Sequence, residues 1–372
     1  MRIGVYRASK IQRLVLAYND GSYSIVGDTN DFGSIIQNEF IEVSLDTGNC
    51  VKLKKGAIEL GSFKKISIFQ NYPNTSIILS PKNPVVKERK YKDDFEVVAG
   101  KSGLTIVNLV DMNNYLGGVV ESEGGGGKEI EYYKVQALMS RTYALKYKTK
   151  HHKEGFDLCD QVHCQAYHNM LRFTPNIDSA VRQTNGIVMT DEKGVLIDAY
   201  FHANCGGQTS EPELVWNTPV PYLYTFKDTF CIYTKQAIWE KRIPQDDWKD
   251  YLVKQFNYPI NDSVFGGLVY TFTQPQRMAF YQNPILGIPL RDIREAFDLK
   301  STYFSCYPDS NEVVVRGRGF GHGVGLCQEG AMKMARYGYN YLQIAQYYFP
   351  NAVIRNFDFD LFFRQRVKGI EF

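Results

Sequence analysis

The chain lacks any apolar run approaching the ~20 residues that cross a bilayer as a helix, and its opening, MRIGVYRASK, has no hydrophobic segment of the signal-peptide kind. No membrane span is expected, and the chain reads either as cytosolic or as one whose export signal has been trimmed. Charge of one sign is also missing. With 43 basic and 40 acidic residues the net charge is +3, and no lysine and arginine run is long enough to hold a polyanion, which argues against nucleic acid as a partner. An even set of cysteines is absent: Cys50, Cys159, Cys164, Cys205, Cys231, Cys306 and Cys327 are seven, they cannot all pair within one chain, and they leave the redox compartment open. There is no internal repeat and no regular alternation of strand and helix.

What is present is enough apolar material, 44% hydrophobic and 14% aromatic over 372 residues, for one large core or two ordinary ones, so disorder is excluded. Tyrosine is abundant at 26, and its apolar face with a polar rim suits sugar rings as well as protein packing. Residues 1–90 read as short strands (RIGVY, LVLAY, YSIVG, FIEVSL, CVKLKK, ISIFQ) divided by turn pieces such as NDGS and DTGN, a β-rich N-terminal module. Strands continue through KSGLTIVNLVDM. From Lys128 the period changes, and KEIEYYKVQALMSRTYALKYK is apolar on most sides, as a buried helix is. Further helices are expected at DSAVRQT, QDDWKDYLVKQF, LRDIREAF, QEGAMKMARYG and YLQIAQYYF, and strands at GIVMT, VLIDAYFHA, LVYTFTQ and EVVVRG. The mixture is α+β, with a mixed α+β domain over 91–372, an insertion at about 231–312 and a cleft.

GRGFGHGVGLCQEGAMKMARYG, residues 317–338, carries glycine at 317, 319, 321, 323 and 325 around His322. It fits neither the dinucleotide fingerprint nor a glycine run closed by Gly-Lys-Ser/Thr. Glycine at period two in an extended strand leaves one bare face, which marks close approach of a ligand or another backbone, one wall of a groove.

Three more clusters stand out: NNYLGGVVESE, CDQVHCQAYH and AYFHANCGGQT. With LTIVNLVDM, KVQALMSRTYALKY, LRDIREAFDLKSTYF and the glycine stretch, in this order from Tyr91 to Phe349, they make the chain resemble the stage II sporulation protein D family. The resemblance implies a lytic transglycosylase of bacterial cell-wall glycan, cutting after N-acetylmuramic acid with formation of a 1,6-anhydro ring on strands stripped of their peptide stems. It implies that Glu123 is the catalytic acid, the alternative being a glutamate at a turn between strand and helix that serves the helix N-terminus, and that Arg141 orients Glu123 or a neighbouring loop, unless it makes only a structural ion pair. Tyr143, Gln165, Tyr167, His202, His322 and Gln328, which lie in the matching motifs, are candidate substrate-binding residues. The glycines 124–127 replace a Met-Pro usual after the acid and change the loop that holds it.

No cofactor is needed for that chemistry. A structural zinc is a separate expectation: His152, Cys159, His163 and Cys164 offer a ligand set that zinc accepts, similar to one in some relatives, with His151 or His168 able to take the first place. The alternative is free thiols, or a disulfide from Cys159 or Cys164 to Cys205 or Cys231. Two other functions stay open, a muramidase-type hydrolase pairing Glu123 with Asp160 or Glu121, and a non-catalytic glycan-binding enhancer of a cell-wall amidase. The expected partners are peptidoglycan glycan strands and such an amidase, and the implied location is extracytoplasmic, in the periplasm or cell envelope.

Overall fold

A computed structural model of the chain describes residues 1–168, 175–216 and 218–357. The chain divides into two compact units, Met1–Val188 with the segment from Arg355, and Met189–Ile354. It is α+β, as expected. Asp94–Ala99 and Leu104–Leu109 pair into the same sheet as Arg2–Val5 and Lys65–Gln70, and the first compact unit runs on to Val188.

In the first unit, period-two patterning yields two sheets. The six-stranded one runs in the order Arg89–Lys92, Ser76–Asn83, Arg13–Asp20, Phe40–Asp46, Cys50–Lys55, Ile58–Phe63. Its register places Leu79 opposite Leu16 and Leu16 opposite Ile41, and likewise Leu14 opposite Val43 and Val43 opposite Leu53, so complete rows of one face are buried. The seven-stranded sheet aligns Ile25, Ile68 and Phe95 in the same way, then meets a polar residue, Asn108. Asn108 is fully buried; its amide donates to the carbonyls of Lys92 and Asp94 at 2.9 and 3.0 Å, which satisfies it within the sheet. At one edge Leu158–Cys159 pairs parallel to Arg2–Val5, with Cys159 beside Gly4.

Three helices follow the sheets: α1 (Met112–Gly124), α2 (Ile130–Lys146) and α3 (Pro175–Gln183). The α2 helix is buried on most sides, as its sequence predicts. The α1 helix, which takes up NNYLGGVVESE, is not among the helices expected from the sequence. Two glycines and two adjacent valines disfavour helix, but Asp111 caps the first turn by accepting from Asn113 N–H at 2.8 Å, and burial of Tyr115, Leu116, Val119 and Val120 outweighs the propensity.

The second unit holds α4 (Glu213–Trp216), α5 (Gln245–Phe256), α6 (Leu290–Ala296), α7 (Gln328–Arg336) and α8 (Tyr341–Tyr348). A three-stranded sheet with Glu312–Arg318 between Ile238–Pro244 and Phe304–Asp309 packs Trp239, Val313 and Val315 with Trp248, Leu252 and Tyr281 into a core of its own. Of the expected strand VLIDAYFHA only Phe201–His202 is a strand, paired parallel with Leu326–Cys327. The expected strand LVYTFTQ is a turn that meets the sheet at Phe272, opposite Cys306, and at Gln274, whose side chain donates to the Phe304 carbonyl at 3.0 Å.

The glycine stretch is also corrected. The strand ends at Arg318, and Gly319, Gly321, Gly323 and Gly325 all take positive φ, at 77°, 106°, 82° and 73°. A β-carbon on Gly319 would stand 2.5 Å from the Asn204 carbonyl oxygen, and one on Gly325 2.3 Å from that of Tyr200. Alternate glycine here answers a looped, left-handed backbone packed against another segment; it does not make the bare face of a strand.

Candidate active site

Glu123 is the second-last residue of α1, so it is held by a helix end and does not serve a helix N-terminus. Its Oε1 accepts the Ala166 backbone N–H at 2.9 Å. One residue earlier, Ser122 Oγ donates to the Gly118 carbonyl at 2.7 Å and accepts from His168 N–H at 3.0 Å. The segment 164–168 is thereby fastened along the last turn of α1. Burial raises the Glu123 pKa above its usual 4.5, against the opposing pull of the Ala166 N–H.

The same segment is braced from beneath. Tyr115 Oη donates to Gln165 Oε1 at 3.0 Å, and Tyr167 Oη donates to Asn108 Oδ1 at 2.8 Å. The rings of Tyr91, Tyr167 and Tyr115 follow one another at centroid separations of 5.4 and 5.0 Å. Tyr143 Oη donates to the His163 carbonyl at 3.1 Å. Tyr143, Gln165 and Tyr167, expected to face substrate, are buried and turned to this bracing. Gln165 Nε2 is buried without a hydrogen-bond partner among the described residues. Asn108 and Ser122 escaped the sequence reading, since neither lies at a spacing that signals chemistry.

Arg141 is buried in α2. Its Nη1 reaches Thr184 Oγ1 at 3.4 Å and the Ile187 carbonyl at 3.2 Å, and its Nη2 reaches the Val181 carbonyl at 3.2 Å. A guanidinium fork spread over carbonyls at and beyond the end of α3 joins the two helices and completes a helix C-terminus.

Neither proposed second carboxylate shares the position of Glu123. Asp160 is fully buried and taken up by four donors: Arg89 Nη1 at 2.7 Å, Tyr6 N–H at 2.7 Å, Arg7 N–H at 3.2 Å and Gln161 Nε2 at 2.8 Å. It staples the N-terminal segment to the loop. Glu121 is buried and lies about 200° around α1 from Glu123, as residues two apart on a helix do.

A cluster of possible metal ligands sits just before the braced segment. One ligand atom from each of His151, Cys159, His163 and Cys164 lies within 4.8 Å of all the others. His151 takes the place expected for His152, whose ring turns to Asp157 Oδ1 at 3.1 Å. Cys164 Sγ to His151 Nε2 is 3.4 Å and Cys159 Sγ to His163 Nδ1 is 3.5 Å. Zinc with sulfur and nitrogen arms of about 2.3 and 2.0 Å spaces tetrahedral ligands about 3.5 Å apart, so the set fits the ion. His151 Nδ1 bonds the Glu154 carboxylate, which leaves Nε2 as the lone-pair nitrogen facing the thiols. Contact with the Cys159 thiol pulls the Cys164 pKa down, and Lys150 and His151 reinforce the shift.

His202, His322 and Gln328 belong to the second unit. Val324 N–H donates to His322 Nδ1 at 3.1 Å, so His322 Nε2–H donates to the Phe201 carbonyl at 3.0 Å, and His202 Nδ1–H donates to the Val324 carbonyl at 3.1 Å. The two rings are 5.4 Å apart, with Trp216 5.2 Å from His322. Burial pushes His322 down to about 4 and His202 well below its usual range, so both rings are neutral near pH 7. Of their nitrogens only His202 Nε2 is buried without a partner. Gln328 opens α7 and is buried.

A helix-held acid, a braced loop and a His/Cys cluster all fall inside one stretch, and residues 100–190, which contain it, match the model of the Stage II sporulation protein family, SpoIID. The chain is 26% identical over 272 residues to stage II sporulation protein D of Bacillus subtilis (strain 168), covering 68% of this chain and 76% of that one. It is 24% identical over 404 residues to the amidase enhancer of the same organism, covering 90% of this chain and 54% of that longer protein. A third relative, an uncharacterized protein of Brachyspira hyodysenteriae (strain ATCC 49526 / WA1), is 27% identical over 259 residues, 68% of this chain and 69% of that one. No helix among the described residues is long and apolar enough to cross a membrane.

Proposed function

We propose that the chain acts on bacterial cell-wall glycan outside the cytoplasm as a lytic transglycosylase with Glu123 as its acid and base. The observation that carries this reading is a single carboxyl group held at a helix end by one backbone N–H, with its pKa raised by burial. Such an acid keeps its proton closer to neutral pH, as general acid catalysis needs. Glu123 gives that proton to the glycosidic oxygen as the bond from C1 to oxygen breaks. The C6 hydroxyl of the same N-acetylmuramic acid then bonds to C1 and returns its proton to the carboxylate, so no water is consumed. A hydrolase that flanks the bond with two carboxylates about 5 to 10 Å apart is disfavoured by the engagement of Asp160 and the opposite setting of Glu121.

Zinc on His151, Cys159, His163 and Cys164 would be structural, since all four positions are filled by protein and none is left for water or substrate. Ala166, the donor to Glu123, is two residues beyond Cys164, so a closed metal site would fix the acid through the loop. A second reading, a glycan-binding enhancer of a cell-wall amidase that does not cut, is favoured by the alignment of 90% of the chain with a protein named amidase enhancer. Mass spectrometry of glycan strands incubated with the protein separates the readings. Anhydro ends support the transglycosylase, reducing ends a hydrolase, and uncut glycan with a stimulated amidase the enhancer.

A further inference from the structure

We propose a second metal centre, a buried zinc site formed in the Met189–Ile354 unit by Cys205, Asp228, Cys231 and Cys327. All four residues are fully buried, and one ligand atom from each lies within 4.8 Å of the others. Cys205 Sγ is 3.3 Å from Cys231 Sγ and 3.3 Å from Asp228 Oδ2. A tetrahedral zinc with sulfur arms of about 2.3 Å separates its sulfurs by about 3.8 Å, so the four atoms enclose a space of the right size after small adjustment. The ligands come from three distant segments: Cys205 follows the strand Phe201–His202, Asp228 and Cys231 share one turn three residues apart, and Cys327 precedes α7.

The surroundings suit a bound dication with anionic ligands. Cys327 Sγ accepts backbone N–H groups from Cys205 at 3.3 Å and Gly330 at 3.4 Å, and as N-cap of the nine-residue α7 it stands where the helix dipole favours a thiolate. Asp228 is oriented by Tyr348 Oη on Oδ2 and Phe230 N–H on Oδ1, both at 2.9 Å, the kind of outer bond that aims a ligating carboxylate. A β-carbon at Gly330 would stand 2.1 Å from Tyr348 Oη and 2.8 Å from Asp228 Oδ2, so glycine leaves room for this arrangement.

Arg277 supplies an independent observation. Its guanidinium is buried, bonds the Cys205 carbonyl at 2.6 Å and the Gln208 carbonyl at 2.8 Å, and leaves Nη1 without a partner. None of its described partners is a carboxylate, and a buried cation without a counter-charge is costly. Zinc with three thiolates and one carboxylate carries a net charge of −2, and places that charge beside Arg277. A Cys205–Cys231 disulfide would instead leave Cys327 as an odd thiol and both Asp228 and Arg277 without a charge to answer.

The test is metal stoichiometry of the full chain, by native mass spectrometry and elemental analysis after purification with zinc present, on wild type and on Cys159→Ser, Cys231→Ser and Asp228→Asn. The expected result is one ion that survives Cys159→Ser and is lost or weakened at least tenfold in Cys231→Ser and Asp228→Asn. Cobalt loaded into wild type should give thiolate charge-transfer bands at a stoichiometry that includes this ion, a reading that stands if Cys231→Ser fails to fold. A wild type with no metal, or with one ion wholly lost in Cys159→Ser, overturns the proposal, as does a Cys205–Cys231 disulfide found by mass mapping. One ion lost in Cys231→Ser but retained in Cys159→Ser supports it and refutes zinc at His151, Cys159, His163 and Cys164. Neither outcome depends on glycan cleavage by Glu123.

Discussion

Glu123→Gln separates the chemistry of the acid from its place in the fold. The amide keeps the side-chain shape, and its oxygen can still accept the Ala166 N–H that now stands at 2.9 Å, so the loop 164–168 should stay fastened to α1. What it loses is the proton. General acid catalysis contributes about 10² to 10⁴-fold, and at about 1.36 kcal/mol per decade the barrier should rise by roughly 2.7 to 5.4 kcal/mol. Stability should move the other way with pH. Because burial raises the Glu123 pKa above 4.5, the folded wild type holds a proton that the unfolded chain has released, and its stability falls as pH rises from 4.5 through the folded value. The amide has no such loss, so the stability of the variant relative to wild type should grow from pH 4 towards neutral. Release of anhydro-ended fragments from denuded glycan, followed by mass spectrometry, reads the first effect; urea unfolding at several pH values reads the second. Cleavage within threefold of wild type by a variant with an unchanged melting curve would remove Glu123 from the mechanism. A relative stability that shrinks as pH rises would refute the environment assigned to its carboxyl group.

Asp160→Ala should cost roughly 3–5 kcal/mol, because it strands the part-buried Arg89 guanidinium and two backbone N–H groups; urea unfolding reads this, and a loss below 1 kcal/mol would contradict the assigned staple. Gly319→Ala should lower stability by about 2–5 kcal/mol, from the left-handed φ of 77° and the close Asn204 carbonyl, and a variant that melts like wild type while binding glycan less would restore the groove-wall reading. His322 is held down to about 4 by burial, so the unfolded chain binds the extra proton and stability should fall as pH drops from 6.5 through 4; His322→Gln should flatten that slope in urea titrations, and an equal slope would place the titration elsewhere. Zinc at the first cluster should appear as about one equivalent that Cys159→Ser removes, and a strong chelator should lower the melting temperature of wild type; a metal-free protein with Cys159 or Cys164 in a disulfide would exclude it.

Some of the site was legible and some was not. The helices Gln245–Phe256 and Gln328–Arg336 begin where apolar periodicity and flanking residues place them, because such signals depend on neighbours within a few residues. The α1 helix was hidden, since Gly117, Gly118, Val119 and Val120 weaken every local helical signal, and only burial against the rest of the unit outweighs them. The choice between His151 and His152 could not be read either. Adjacent residues have equal spacing to the thiols to within one, and the ring that turns inward is decided by the Glu154 bond and by the packing of His151 on Phe156, centroids 5.2 Å apart.

The sequence by itself determined the α+β class, the β-rich opening, the buried helix and the stretch that contains Glu123 and the His/Cys cluster, because alternation, helical period and residue type are local properties of a chain. Tertiary structure alone decided what those residues meet. It set Glu123 on the Ala166 N–H, spread Arg141 over the carbonyls around the end of α3, occupied Asp160 with four donors, and gathered Cys205, Asp228, Cys231 and Cys327 from positions as much as 122 residues apart. Burial, which raises the pKa of one carboxyl group and lowers that of two imidazoles, belongs to no single segment and exists only once the segments have packed.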